Sequence, residues 1–119
     1  WQHETGVGPA GTTLVGFSQG AIMALESTQS DGAALAARVM ALSGRFAQMP
    51  RRAPLDTDIH LMHGDQDRVM PVVLAVDAVR HLRALGARST LDNFPGLGHA
   101  IDARVVDAIV RRMSETQAP

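Results

Sequence analysis

The sequence has no cysteine. That excludes disulfides, thiolate zinc sites and a cysteine nucleophile. It also has no lysine: all 11 basic residues are arginine, a bias that GC-rich codons explain. The arginines are scattered and interleaved with aspartate, and the formal net charge is −1. A dedicated nucleic-acid binder carries a concentrated basic face, so none is expected. Tyrosine is absent, and only three phenylalanines and one tryptophan occur. No apolar run approaches the ~20 residues of a membrane span. The scattered arginine and the lack of cysteine lean toward a cytoplasmic setting.

The 119 residues suit one small domain, and we expect a single, partial domain over residues 1–119 with a frayed tail over 114–119. A chain this size buries roughly two-thirds of its unfolded surface, enough for a modest core. It opens on Trp1 rather than Met, and Trp1 to Thr5 reads as the last turn of a helix with Gly6 as C-cap. We therefore expect a piece of a longer protein. Gly6-Val7-Gly8-Pro9-Ala10-Gly11 matches Gly-x-Gly-x-x-Gly. A dinucleotide fingerprint follows a strand and opens a helix. This one precedes a strand and contains Pro9, so it implies no such cofactor.

What the chain does have is Leu14-Val15-Gly16-Phe17-Ser18-Gln19-Gly20-Ala21-Ile22-Met23. Thr12 to Phe17 reads as a short buried strand, and the Ala-rich stretch from Gly20 to Ser27 as a helix. Strand, Gly-x-Ser-x-Gly, helix is the context of a nucleophile elbow, a turn tight enough to strain the serine and hold its hydroxyl at the strand's end. Gly16 and Gly20 stand where a Cβ would collide as strand and helix cross. The strain costs on the order of 1–3 kcal/mol. The plainer alternative is a Gly/Ser loop.

Downstream, the pattern predicts a loop over 28–32, with Asp31 capping a short turn to Ala37. Strands follow at 38–42, 59–63 and 89–94. A helix over 72–85 should bury Val72, Val76, Val79, Leu82 and Leu85. A last helix, capped by Asp102 and running to about Met113, should bury Val106, Ile109, Val110 and Met113. Short buried strands alternating with helices imply an α/β fold: about four parallel strands with flanking helices.

Active sites of open parallel sheets collect beyond the carboxyl ends of the strands. Ser18 follows the first strand, Asp65 and Asp67 the third, His99 the fourth. The order Ser, Asp, His is that of α/β-hydrolases and not of the other serine-hydrolase folds. A serine hydroxyl needs a base to take its proton, and the base needs an orienter. His99 is the candidate base. Asp67 is favoured as orienter because it lies past the turn, just before the Val69-Met70-Pro71 helix entry, with Asp65 as competitor. The Gln19 N–H, opening the helix, is the candidate oxyanion donor. A second donor normally comes from a loop after an earlier strand, and none precedes Thr12 here.

Two other readings compete. One is a metal-dependent hydrolase built on His60, His63, Asp65 and Asp67. Residues three apart on a strand face opposite sides, so His60 and His63 fit one metal poorly, and His63 is expected to bond the following turn instead. His3 and His81 read as surface residues. The other is a non-catalytic domain that binds a small molecule or a partner.

Gly16-Phe17-Ser18-Gln19-Gly20-Ala21, His63-Gly64-Asp65-Gln66-Asp67-Arg68-Val69-Met70-Pro71 and Gly98-His99 resemble the carboxylesterase/phospholipase group of α/β-hydrolases. Leu42-Ser43-Gly44-Arg45-Phe46 and Leu97-Gly98-His99-Ala100-Ile101-Asp102 look closest to a bacterial esterase branch of it. The likeness spans nearly the whole chain. It implies Ser18 as nucleophile, Asp67 as acid and His99 as base, small-molecule carboxylic esters or thioesters as substrates, and neither metal nor organic cofactor. It also implies Phe46, Val69, Met70 and Leu97 as pocket walls. Members are roughly twice as long, so the chain resembles a C-terminal half. Its first strand then becomes an edge, open to pairing and self-association.

Overall fold

The short runs rich in valine, leucine and methionine form strands, and the alanine-rich stretches between them form helices. The computed structural model describes residues 13–29, 37–48, 50–51 and 57–114. In chain order these give β1 (Thr13–Phe17), α1 (Gln19–Ser27), β2 (Arg38–Leu42), β3 (Asp58–Gly64), α2 (Val72–Ala84), β4 (Ser89–Phe94) and α3 (Ala103–Ser114). The expected helix end and glycine motif before Thr12 and the Asp31-capped turn lie outside the described residues.

The sheet runs β1-β2-β3-β4, every neighbouring pair parallel. Phe17 pairs with Leu42, Leu42 with Met62 and Met62 with Asp92. All four strands therefore end along one edge, and the loops carrying Ser18, Asp67 and His99 leave from it.

Helices pack on both faces of the sheet, as parallel sheets require. Val39, Ala41, Ile59 and Leu61 lie under Ala21 and Leu25 of α1 and Ala75, Ala78, Val79 and Leu82 of α2. Met40, Leu42, Met62 and Phe94 lie under Val105 and Ala108 of α3. Among the described residues β1 pairs only with β2. Its outer position leaves Val15 53% and Phe17 37% exposed.

Both later helices are rotated from the faces the aliphatic pattern predicts. α2 buries Ala75, Ala78, Val79 and Leu82, while Leu85 is exposed and caps the helix. The stripe is a regular i, i+3, i+4, i+7 set, but alanine supplies half of it, and a count of large side chains passes over alanine. α3 buries Val105 and Ala108, with Ile109 packed against that core, and leaves Val106, Val110 and Met113 exposed. In this orientation Arg111 and Arg112 both pair with Asp92 on β4. The start of α3 follows expectation. Asp102 Oδ1 accepts from the N–H groups of Arg104 and Val105, an N-cap. Ser114, read as tail, closes α3 and donates to the Val110 carbonyl.

Candidate active site

Ser18 joins β1 to α1 with φ 58° and ψ −114°, a left-handed conformation that costs a non-glycine residue on the order of 1–3 kcal/mol. Its backbone is tied on both sides. The Ser18 N–H donates to the Leu42 carbonyl at 2.9 Å, and its carbonyl accepts from the Ile22 N–H at 3.1 Å. A Cβ at Gly16 would stand 2.4 Å from the Gly20 carbonyl carbon, so glycine is required there. Gly20 departs from expectation: a Cβ on it meets nothing within 4 Å. The close approach is of Gly16 to the backbone of residue 20, whose own Cβ would point into open space. Gly44, after β2, is constrained in the same way as Gly16, since its Cβ would lie 2.3 Å from that of Ala21.

The turn after β3 fixes a carboxylate. Asp67 Oδ1 accepts from the N–H groups of Val69 (2.9 Å) and Met70 (2.7 Å). This side-chain-closed turn aims Oδ2 across the strand ends. Burial pushes the Asp67 carboxyl upward, but the Met70 N–H, His99 and the Val69 N–H together hold it below its ordinary 3.8. His63, 1% exposed, brackets the turn from beneath. Its Nε2 contacts the Met70 carbonyl and lies 3.6 Å from Asp67 Oδ2. A carbonyl only accepts, so that nitrogen carries a proton.

The loop after β4 brings in the imidazole of His99. His99 Nδ1 lies 2.8 Å from Asp67 Oδ2, and Nε2 lies 2.9 Å from Ser18 Oγ. The carboxylate only accepts, so Nδ1 holds the proton and Nε2 is free to accept from the serine hydroxyl. Asp65, the competing orienter, is occupied elsewhere: its Oδ1 accepts from the Gly96 N–H at 2.8 Å, holding the loop that carries His99.

Of the residues expected around the site, Val69 is exposed and Met70 half-buried, both on the Asp67 turn. The other two expected wall residues are buried. Phe46 is 5% exposed and packed with Ala21 and Leu25. Leu97 is 8% exposed and packed with Met62 and Val105. Gln19 opens α1, so its N–H is one of the four that a helix leaves without an internal partner. The two histidines a metal site would need face apart: His60 Nδ1 lies 2.7 Å from Thr90 Oγ1, while His63 reaches Met70. Phe17, given no role by the sequence reading, sets its ring centroid 5.0 Å from that of His99 at an interplanar angle of 35°.

The family model for phospholipase/carboxylesterase matches residues 1–116. The chain belongs to that family. Esterase YpfH of Escherichia coli (strain K12) is 49% identical over 104 residues, covering 87% of this chain and 44% of YpfH. Acyl-protein thioesterase 1 of Gibberella zeae is 29% identical over 113 residues, covering 89% of this chain and 48% of that protein. Among solved structures, the crystal structure of esterase PE8 superposes with a TM-score of 0.80 at 33% identity, covering 94% of this chain and 53% of PE8. The chain thus spans about half the length of these relatives. The kinship expected from the serine, aspartate and histidine motifs is the kinship found, and the four-stranded parallel sheet with its helices is part of an α/β-hydrolase fold.

Proposed function

We propose that the chain carries the reactive half of a serine esterase that cleaves carboxylic esters through an acyl-enzyme. The observation that supports it most directly is one imidazole within hydrogen-bond reach of both Ser18 Oγ (2.9 Å) and Asp67 Oδ2 (2.8 Å). Ser18 Oγ attacks the acyl carbonyl while its proton passes to His99 Nε2. Asp67 holds the ring and stabilises the imidazolium. The Gln19 N–H, at the positive end of α1, receives the oxyanion. As the tetrahedral intermediate collapses, His99 returns the proton to the leaving group. A water activated by the same nitrogen then attacks the acyl-serine and releases the acid.

Thioesters fit the same steps with a sulfur leaving group, and the thioesterase among the relatives supports including them. Val69 and Met70 border the acyl group. No step needs a metal or an organic cofactor. The uncovered β1, with Val15 and Phe17 exposed, supports pairing of this edge with another strand. A cytoplasmic setting goes with the reading.

The test is intact mass after incubation with a fluorophosphonate probe, with Ser18→Ala alongside, and turnover of a p-nitrophenyl ester. One adduct and measurable turnover, both lost in Ser18→Ala, are expected. Turnover retained in Ser18→Ala would overturn the assignment. A full-length protein that binds an acyl ligand without labelling would mark a binding domain instead.

A further inference from the structure

The elbow makes no demand on residue 17. Its geometry needs glycine at 16 and tolerates strain at 18, yet an aromatic ring stands between them on an edge strand, 37% exposed. That ring is not spent on the core. It lies against His99, centroid to centroid 5.0 Å, tilted 35°.

The imidazole of His99 has both nitrogens engaged, Nδ1 with Asp67 and Nε2 with Ser18. These two bonds lie in the plane of the ring. They fix where its edge points but bind nothing to its faces, and Phe17 supplies a face contact. Aromatic pairs at 4.5–7 Å attract through their quadrupoles, and the attraction grows when one partner becomes a cation. Charge arises on His99 when Nε2 takes a proton, first from Ser18 and later from the attacking water.

We propose that Phe17 is a positioning residue for His99, holding the imidazole by its face and favouring the imidazolium that forms as Ser18 attacks. The proposal rests on the esterase reading above. It differs from a packing role because it depends on the electrons of the ring and not only on its shape. It differs from a substrate-wall role because it acts on kcat and leaves KM alone.

The test replaces Phe17 with pentafluorophenylalanine, incorporated site-specifically in the full-length protein. The shape is nearly kept and the quadrupole is reversed. An exposed cation–π contact corresponds to roughly a two- to five-fold change in rate. The expected result is a fall of that size in kcat with KM unchanged, a larger fall for Phe17→Leu, and near-parent kcat for Phe17→Tyr. A pentafluoro variant with the parent's kcat overturns the proposal, and so does a variant in which KM alone rises. Fluorophosphonate labelling of Ser18 in the parent separates the two levels. A parent that labels and turns over while the fluorinated variant matches it sinks only the role of Phe17. A parent that neither labels nor turns over sinks the esterase reading, and this inference with it.

Discussion

Gly64 and Leu97 meet with no room for a side chain between them: a Cβ on Gly64 would stand 2.1 Å from the Leu97 carbonyl oxygen. That oxygen also accepts from the Gln66 N–H at 2.9 Å. The turn bearing Asp67 and the loop bearing His99 are thereby locked at the ends of β3 and β4. Gly64→Ala must push them apart. We expect it to destabilise the protein by about 1–3 kcal/mol, the usual cost of overpacking. Esterase activity should fall roughly 10²-fold, because a shift of about 1 Å in a reacting group costs that much. Urea unfolding and kcat/KM measure the two effects, and an unchanged kcat/KM would show that the lock does not set the distance from Asp67 to His99.

Asp67→Asn keeps the shape of the turn and removes its charge. His99 can then adopt the wrong tautomer, and kcat should fall about 10⁴-fold, the scale seen when the acid of a serine triad becomes an amide. A near-parent kcat would remove Asp67 from the mechanism and reopen the case for Asp65.

The same carboxyl makes stability depend on pH. Its hydrogen bonds hold it below 3.8 in the folded state, so the folded protein favours the carboxylate more than the unfolded chain does. The resulting stability is present at neutral pH and is lost as pH falls through 3.8 toward the lower folded value. Urea unfolding at neutral pH and at about pH 2 should show Asp67→Asn costing most at neutral pH and least in acid. A cost independent of pH would mean that the carboxylate's hydrogen bonds add no stability of their own.

Ser18 stores strain that can be measured apart from chemistry. Ser18→Ala and Ser18→Gly both remove the hydroxyl, but only glycine is at ease at φ 58°. Ser18→Gly should be more stable than Ser18→Ala by about 1 kcal/mol, the low end of such strain after glycine's own entropic cost. Equal melting and urea midpoints would indicate that the turn is not strained.

The sequence was most legible where close packing constrains the backbone. Gly-x-Ser-x-Gly between an apolar run and an alanine-rich one marked the elbow. The aspartate two positions past Asp65 and the histidine after Gly98 lay beyond the strand ends that a parallel sheet lines up. The faces of α2 and α3 were less legible, because size is a poor guide where a helix lies close on a sheet. Alanines 75, 78 and 108 make those contacts. The purpose of Gly64 was hidden for a different reason. It depends on Leu97, 33 residues along the chain, and no local pattern reports that approach.

α3 carries two apolar stripes one residue apart, and only one of them holds the helix to the sheet. Val105 is 2% exposed and Val106 50%. Their side chains are the same, so the comparison between them isolates burial. Val105→Ala should cost about 1–3 kcal/mol, as expected of a core truncation, and Val106→Ala should fall within about 0.5 kcal/mol of the parent. Asp92→Ala supplies the control for what sets the rotation, because it removes the partner of both Arg111 and Arg112. If those pairs orient the helix, Val106→Ala should become costlier in the Asp92→Ala background than in the parent. Equal losses at 105 and 106 in the parent itself would mean that the Val106, Val110 and Met113 stripe is covered as well, and that the apolar side of α3 is wider than the sheet it lies on.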